Sequence, residues 1–183
     1  GYKRETTPWL SKMKNDPNAV IFSNAYSNHT HTVPALTYAL TSKSQYDDNL
    51  LQDCPSLIEL ANASGYETYW ISNQVKLSAW DTPVTLIAST ADHQMFINTN
   101  FGTDTGTTFY DGELVNSLKN LHSNSDRILI VLHLMGNHTV YEERYPGSFK
   151  KFGRTSIDKY DNSMLYNDAV VKDIYEWAKK QPN

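Results

Sequence analysis

Apolar positions recur along this chain in two alternating rhythms, one with the period of a helix and one with the short runs of strands. Thr6-Thr7-Pro8 ahead of Trp9-Leu10-Ser11-Lys12-Met13 predicts a threonine-capped helix with proline in its first turn. A short strand is expected over 19–24, then a helix over 32–40 with Pro34 near its start. A helix over 55–63 carries Leu57, Ile58, Leu60 and Ala61, and Gly65 is placed to end it. A strand follows over 67–72, a helix over 83–91 and a short strand over 94–98. Residues 111–122 form an amphipathic helix with Leu114, Val115, Leu118 and Leu121 on one face. Residues 127–134 are the most apolar strand and are expected at the centre of a sheet, buried on both faces. The last helix, 159–180, has Tyr160, Met164, Val171, Ile174 and Ala178 at helical spacing. Strands alternating with helices predict an α/β fold, a mainly parallel sheet flanked by helices. No internal repeat or second domain is legible. A Gly/Thr-rich loop over 99–108 and a long polar loop over 141–157 interrupt the pattern.

The chain has 183 residues, enough for one domain with a substantial core. A net charge of −4 without a basic run argues against nucleic acid as a partner. Cys54 is the only cysteine, which excludes an intramolecular disulfide. No apolar run is long enough to span a membrane, and no signal-peptide pattern is present. The sequence begins Gly1-Tyr2-Lys3-Arg4, as expected of an excised or processed segment.

Two segments carry chemistry that core packing does not require. His133-Leu134-Met135-Gly136-Asn137-His138 follows the most apolar strand, and a glycine turn separates its two histidines. At the C-terminal end of a parallel strand both imidazoles can face one crevice, where open α/β sheets bind ligands. Neutral imidazole suits zinc and protonated imidazole suits a phosphate oxygen. Upstream, Ser27-Asn28-His29-Thr30-His31-Thr32 places a hydroxyl at the start of a helix, where unpaired amides cradle an anion. Two readings of Thr32 stand here, a simple helix cap and a nucleophile. Thr30 competes with it, and His29 and His31 read as exposed loop histidines.

His133-Leu-Met-Gly-Asn-His138, with Tyr141, Arg144-Tyr145-Pro146 and Phe149, resembles the signature of bacterial phosphoethanolamine transferases, alkaline-phosphatase-like enzymes of the sulfatase superfamily that decorate lipopolysaccharide. Tyr2 to Pro8 is similar to the segment just after that family's first metal-binding motif. Ser27 to Thr32 is similar to its nucleophile loop, and Gly65 to Gln74 to its strand ending in a site asparagine. Tyr110-Asp111-Gly112-Glu113 and Tyr160 to Ser163 with Tyr166-Asn167-Asp168 also fit. The motifs run in the family's order along nearly the whole chain.

The resemblance implies an alkaline-phosphatase/sulfatase-like fold, present in part. It implies zinc, and transfer of phosphoethanolamine from phosphatidylethanolamine through a covalent threonine intermediate to lipid A or a core sugar of lipopolysaccharide. Thr32 corresponds to the nucleophile and a metal ligand. His138 corresponds to a histidine that contacts the phosphate group or a second zinc, His133 to another histidine near the site, and Asn73 to a residue lining the pocket. The parent protein is expected at the periplasmic face of the bacterial inner membrane, held by segments outside this chain. Residues 1–183 are expected to lack the strand bearing the family's metal-binding glutamate and a C-terminal Asp-His segment. The chain alone is therefore expected to be inactive, and loss of that strand to expose a sheet edge. Across the nucleophile loop, cysteines of the lipid A-modifying branch correspond to Asn28 and Ala35 or their neighbours, which favours the cysteine-poor branch. Three rivals remain: a phosphoglycerol transferase or phosphodiesterase on the same scaffold, a sulfatase, and a non-catalytic fragment. A sulfatase needs Cys/Ser-x-Pro-x-Arg, where this chain has Thr32-Val33-Pro34-Ala35-Leu36.

Overall fold

The structure, a computed structural model, describes residues 2–76, 82–98 and 109–181. The Gly/Thr-rich loop expected over 99–108 lies outside them. Six helices and three strands follow in the order α1 (Pro8–Met13), α2 (Thr32–Leu40), α3 (Leu57–Ala63), β1 (Glu67–Ser72), α4 (Thr82–Ala88), β2 (His93–Phe96), α5 (Gly112–Lys119), β3 (Ile128–His133) and α6 (Ser156–Ala178) among the described residues. The chain divides into two compact units: Asn24–Asp104 with His122–His133, and Gly1–Ser23 with Thr105–Leu121 and Leu134–Asn183.

The first of these units holds a parallel sheet in the order β2-β1-β3. β1 pairs with β3 from Glu67 opposite Ile128 to Ser72 opposite His133, and with β2 from Tyr69 opposite His93 to Ser72 opposite Phe96. The expectation for residues 127–134 is corrected here. Among the described residues β3 is an edge strand, half-buried along most of its length, and the central, most buried strand is β1. An unbroken apolar run measures the apolar surface a strand offers, while its burial and its number of neighbours are set by pairing and by what packs on its faces.

Short helices in this unit are fixed by their ends. Ser56 and Glu59 form a reciprocal capping box at the start of α3. At its end Gly65 adopts φ +79, and the Gly65 and Tyr66 amides return to the Asn62 and Ala61 carbonyls, a left-handed turn that a Cβ would disfavour. Ile58, Trp70, Val84, Ile87, Ala88 and Ala91 form the core, and Val33, Leu36 and Leu40 of α2 pack against it.

In the other unit α6 departs from expectation. Its predicted apolar positions are only partly the buried ones: Ile174 packs in the core, but Tyr160 is exposed, whereas Asp158, Asp161, Asn162, Ser163 and Asp168 are buried. Irregular backbone supplies the reason, because its buried amides need acceptors. Asp168 accepts the Trp9 and Leu10 amides at 2.8 and 3.0 Å. That carboxylate satisfies the first turn of α1, which the expected cap at Thr7 does not. Asn162 accepts the Lys151 and Phe152 amides, and Asp161 accepts the Tyr2 hydroxyl and the Arg4 guanidinium. The apolar core beside this face is Val115, Tyr145, Tyr166 and Val170 with Leu134, Phe149 and Ile174.

Residues 19–24 form no strand, which corrects a further expectation. Val20 and Phe22 stand 78% exposed, and a strand requires a ladder partner that this segment does not have among the described residues.

A pH prediction arises at the start of α6. The Thr155 hydroxyl, then the Thr155 amide, then Arg4 hold the Asp158 carboxyl at about 2, below its ordinary 3.8. The folded state therefore releases this proton more readily than the unfolded chain. Its stabilising contribution is complete above the unfolded value and is lost as pH falls through about 2. Urea unfolding across this acid range should show stability declining with pH, with a shallower decline in Asp158→Asn. Equal slopes in the two proteins would contradict this assignment.

Candidate active site

The C-terminal ends of β1 and β3 are bound together at their last residues. Ser72 faces His133 in register, and the Asn73 amide donates to the His133 carbonyl at 2.9 Å. The Ser72 hydroxyl lies 3.3 Å from His133 Nδ1 and accepts the Gln74 amide at 3.0 Å. The Trp70 indole meets the His133 ring edge-on, with centroids 5.6 Å apart. His133 is thus half-buried and held from two sides, and Asn73 is fully buried just beyond β1. Ser72 and Trp70 were not singled out from the sequence. Strand register was the signal that would have found Ser72, since it sits beside His133 once the two strands are paired.

Thr32 is the first residue of α2 and is exposed. The capping reading of Thr32 is corrected, because the N-cap position belongs to His31, which makes no side-chain cap bond. Pro34 has no amide hydrogen and the Ala35 amide bonds to the His31 carbonyl, so Thr32 and Val33 supply the leading amides of the first turn. The preceding loop is tied to itself. Ser27 Oγ donates to the His29 carbonyl at 2.6 Å, the His31 amide donates to His29 Nδ1 at 3.1 Å, and Thr30 Oγ1 lies 3.1 Å from His31 Nδ1. The Asn28 amide group donates to the Ala35 carbonyl at 3.3 Å. His29 and His31 are exposed, as their sequence context implied.

His138 belongs to the other unit, in the turn after β3, and is exposed. That turn is built by buried polar groups. The Asp111 carboxylate accepts the Met135 and Gly136 amides, each at 2.8 Å, and the Asn137 amide group donates to Ser163 Oγ at 2.6 Å. Gly136 takes φ +58, which glycine adopts without strain. Asp111 occupies the N-cap of α5 but makes no cap bond there, since its oxygens serve this turn instead. The Tyr110-Asp111-Gly112-Glu113 motif carried that signal without its meaning. Beyond His138, the Arg144 guanidinium is buried and donates twice to the Thr139 carbonyl, at 3.2 and 3.0 Å. Burial lowers the pKa of Arg144 from the usual guanidinium value, with the Glu143 and Asp111 charges acting the other way.

Val140 lies between these anchors at φ 63, ψ 56, a left-handed conformation that a β-branched residue rarely adopts. The strain costs on the order of 1–2 kcal/mol. Val140 is 42% exposed, so little packing opposes its replacement. Val140→Asn should raise the unfolding free energy by about 1 kcal/mol, read from denaturant midpoints. An unchanged or lowered midpoint would show that the turn holds no such strain.

No group of three or more His, Cys, Asp or Glu side chains able to hold a metal ion occurs among the described residues. The described residues do not by themselves complete a zinc site. No helix among the described residues is long and apolar enough to cross a membrane.

Comparison with known proteins now bears on this geometry. The phosphoethanolamine transferase EptC of Escherichia coli (strain K12) is 33% identical over 200 residues, spanning 100% of this chain and 34% of that protein. Phosphoethanolamine transferase CptA of Salmonella typhimurium is 32% identical over 181 residues, spanning 90% of this chain and 31% of that protein. The chain thus spans about a third of the length of these relatives. The crystal structure of the C-terminal periplasmic domain of E. coli EptC in complex with Zn superposes with a TM-score of 0.86 at 32% identity, over 98% of this chain and 54% of that one. The soluble domain of the Neisseria meningitidis lipooligosaccharide phosphoethanolamine transferase A shares the fold at a TM-score of 0.79 and 21% identity. The parallel sheet flanked by helices is that fold in part. The sulfatase family pattern matches residues 1–183 from end to end, and the chain belongs to the sulfatase family.

Proposed function

We propose that this chain is the nucleophile-bearing part of a phosphoethanolamine transferase. The observation that carries the proposal is the 33% identity with EptC across 100% of the chain, together with Thr32 standing exposed at the first position of α2. In the proposed reaction the Thr32 hydroxyl oxygen attacks the phosphorus of phosphatidylethanolamine. The phosphorus–oxygen bond to diacylglycerol breaks, and the hydroxyl proton ends on the departing diacylglycerol oxygen. A hydroxyl oxygen of the acceptor, lipid A or a core sugar of lipopolysaccharide, then attacks the same phosphorus, the phosphorus–Thr32 Oγ bond breaks, and the acceptor's proton ends on Thr32 Oγ. Two steps let one nucleophile serve a lipid donor and a sugar acceptor in turn.

The leading amides of α2 are suited to the charge that develops on the phosphoryl oxygens. His138 is assigned to contact the phosphoryl group, His133 to support the site from β3, and Asn73 to hold the junction of β1 and β3. Zinc lowers the pKa of a bound oxygen and offsets charge on phosphoryl oxygens in sites that hold it. We assign it to a protein of the relatives' length. The parent is placed at the periplasmic face of the inner membrane, in line with the periplasmic EptC domain.

The test is intact mass spectrometry of a protein of the relatives' length, incubated with zinc and phosphatidylethanolamine. A phosphoethanolamine adduct whose peptide maps to Thr32 is expected. The 183-residue chain alone should form none and should bind zinc weakly by calorimetry. A folded, zinc-loaded long protein that forms no adduct would refute the transfer reading, and turnover by the short chain would refute its dependence on further ligands.

A further inference from the structure

A groove away from Thr32 in sequence and in unit is built from α1, α6 and the turn at Gly147–Phe149. It holds about 580 Å³, within the size range of small-molecule sites, and is open to solvent on one side. Half-buried Pro8, Trp9, Phe149, Leu165 and Ala169 line it, and exposed Lys12, Lys151 and Lys172 stand on it. Asp168 is the one acid in the lining, and both its oxygens already accept the Trp9 and Leu10 amides. Three ammonium groups against one carboxylate leave the groove at +2 in a chain whose net charge is −4. None of the three lysines forms an ion pair among the described residues.

We infer that this groove binds a phosphorylated saccharide. Ammonium groups on separate elements converge on an anion as point charges, which suits phosphate. The Trp9 and Phe149 rings suit the C–H face of a sugar. A nucleobase edge requires acceptors as well as donors, and apart from Ser148 and the engaged Asp168 the lining side chains are donors, the lysines and the Trp9 indole, or apolar groups. The inference stands apart from the transfer reaction and does not use Thr32.

Glucose 6-phosphate, inorganic phosphate and phosphatidylglycerol vesicles serve as probes, with binding to the chain followed by calorimetry. Glucose 6-phosphate should bind more tightly than inorganic phosphate. The Lys12→Gln/Lys151→Gln/Lys172→Gln variant, with an unchanged circular dichroism spectrum, should lose at least about tenfold in affinity. Surface lysines leave the fold intact, so this variant separates binding from folding. Inorganic phosphate binding as tightly as the sugar phosphate would overturn the inference in favour of an adventitious ion only. Vesicle binding that glucose 6-phosphate does not displace would overturn it in favour of a membrane surface. Absence of binding, or equal affinity in the variant, would overturn it outright.

Discussion

Thr32→Ala in a protein of the relatives' length is expected to lower phosphoethanolamine transfer by roughly 10³-fold or more while leaving the fold intact. The large effect follows from removing the hydroxyl oxygen proposed to carry the covalent intermediate. The intact fold follows from the position of Thr32, exposed in the first turn of α2 and outside the capping position. Alanine is the better helix former, so the stability change should stay within about 0.5 kcal/mol. Thr32→Ser keeps the hydroxyl and should retain part of the activity. Transfer rates for the three proteins, each checked by thermal unfolding, decide the matter. Full activity in Thr32→Ala would return Thr32 to a structural role and move the nucleophile elsewhere in the loop.

Trp70→Ala should destabilise the sheet unit by about 3–5 kcal/mol, a large part of the stability of an ordinary domain. Trp70 is 1% exposed and packs with Ile58, Val84, Ile87 and Ala88. A small cavity lined by Trp70, Ser72, Val84, Ala88, Phe96 and His133 already adjoins it, so truncation enlarges a void that the rigid β1–β3 pairing cannot close. The indole Nε1–H has no hydrogen-bond partner among the described residues. Trp70→Phe removes that unsatisfied donor while keeping most of the apolar volume, so its cost should fall well below that of alanine. The edge-on contact with His133 ties the same residue to the candidate site. Chemical denaturation that ranks Trp70→Phe equal to Trp70→Ala would refute this packing account.

The sequence by itself determined the elements whose signals are local. The β1 boundaries, the α2 boundaries and the Gly65 stop could be read because strand propensity, proline position and a left-handed glycine act within a few residues. The motif order also carried the family, which the match over residues 1–183 bears out. Tertiary structure alone decided what depends on partners distant in the chain. Among the described residues, 19–24 have strand composition and no ladder, and β3 has a central strand's composition and an edge position. Composition measures how much apolar surface a segment offers, and pairing decides where that surface goes. The inward face of α6 was illegible for the complementary reason. Asp161, Asn162 and Asp168 look like solvent-facing residues until the segments at Tyr2 to Leu10 and at Lys151 and Phe152 bring their unpaired donors against them. The same holds at the candidate site, where Asp111 shapes the turn bearing His138 across more than twenty residues of sequence. A carboxylate that caps a distant turn leaves no periodic trace, because the hydrogen bonds it makes are fixed only once the chain has folded.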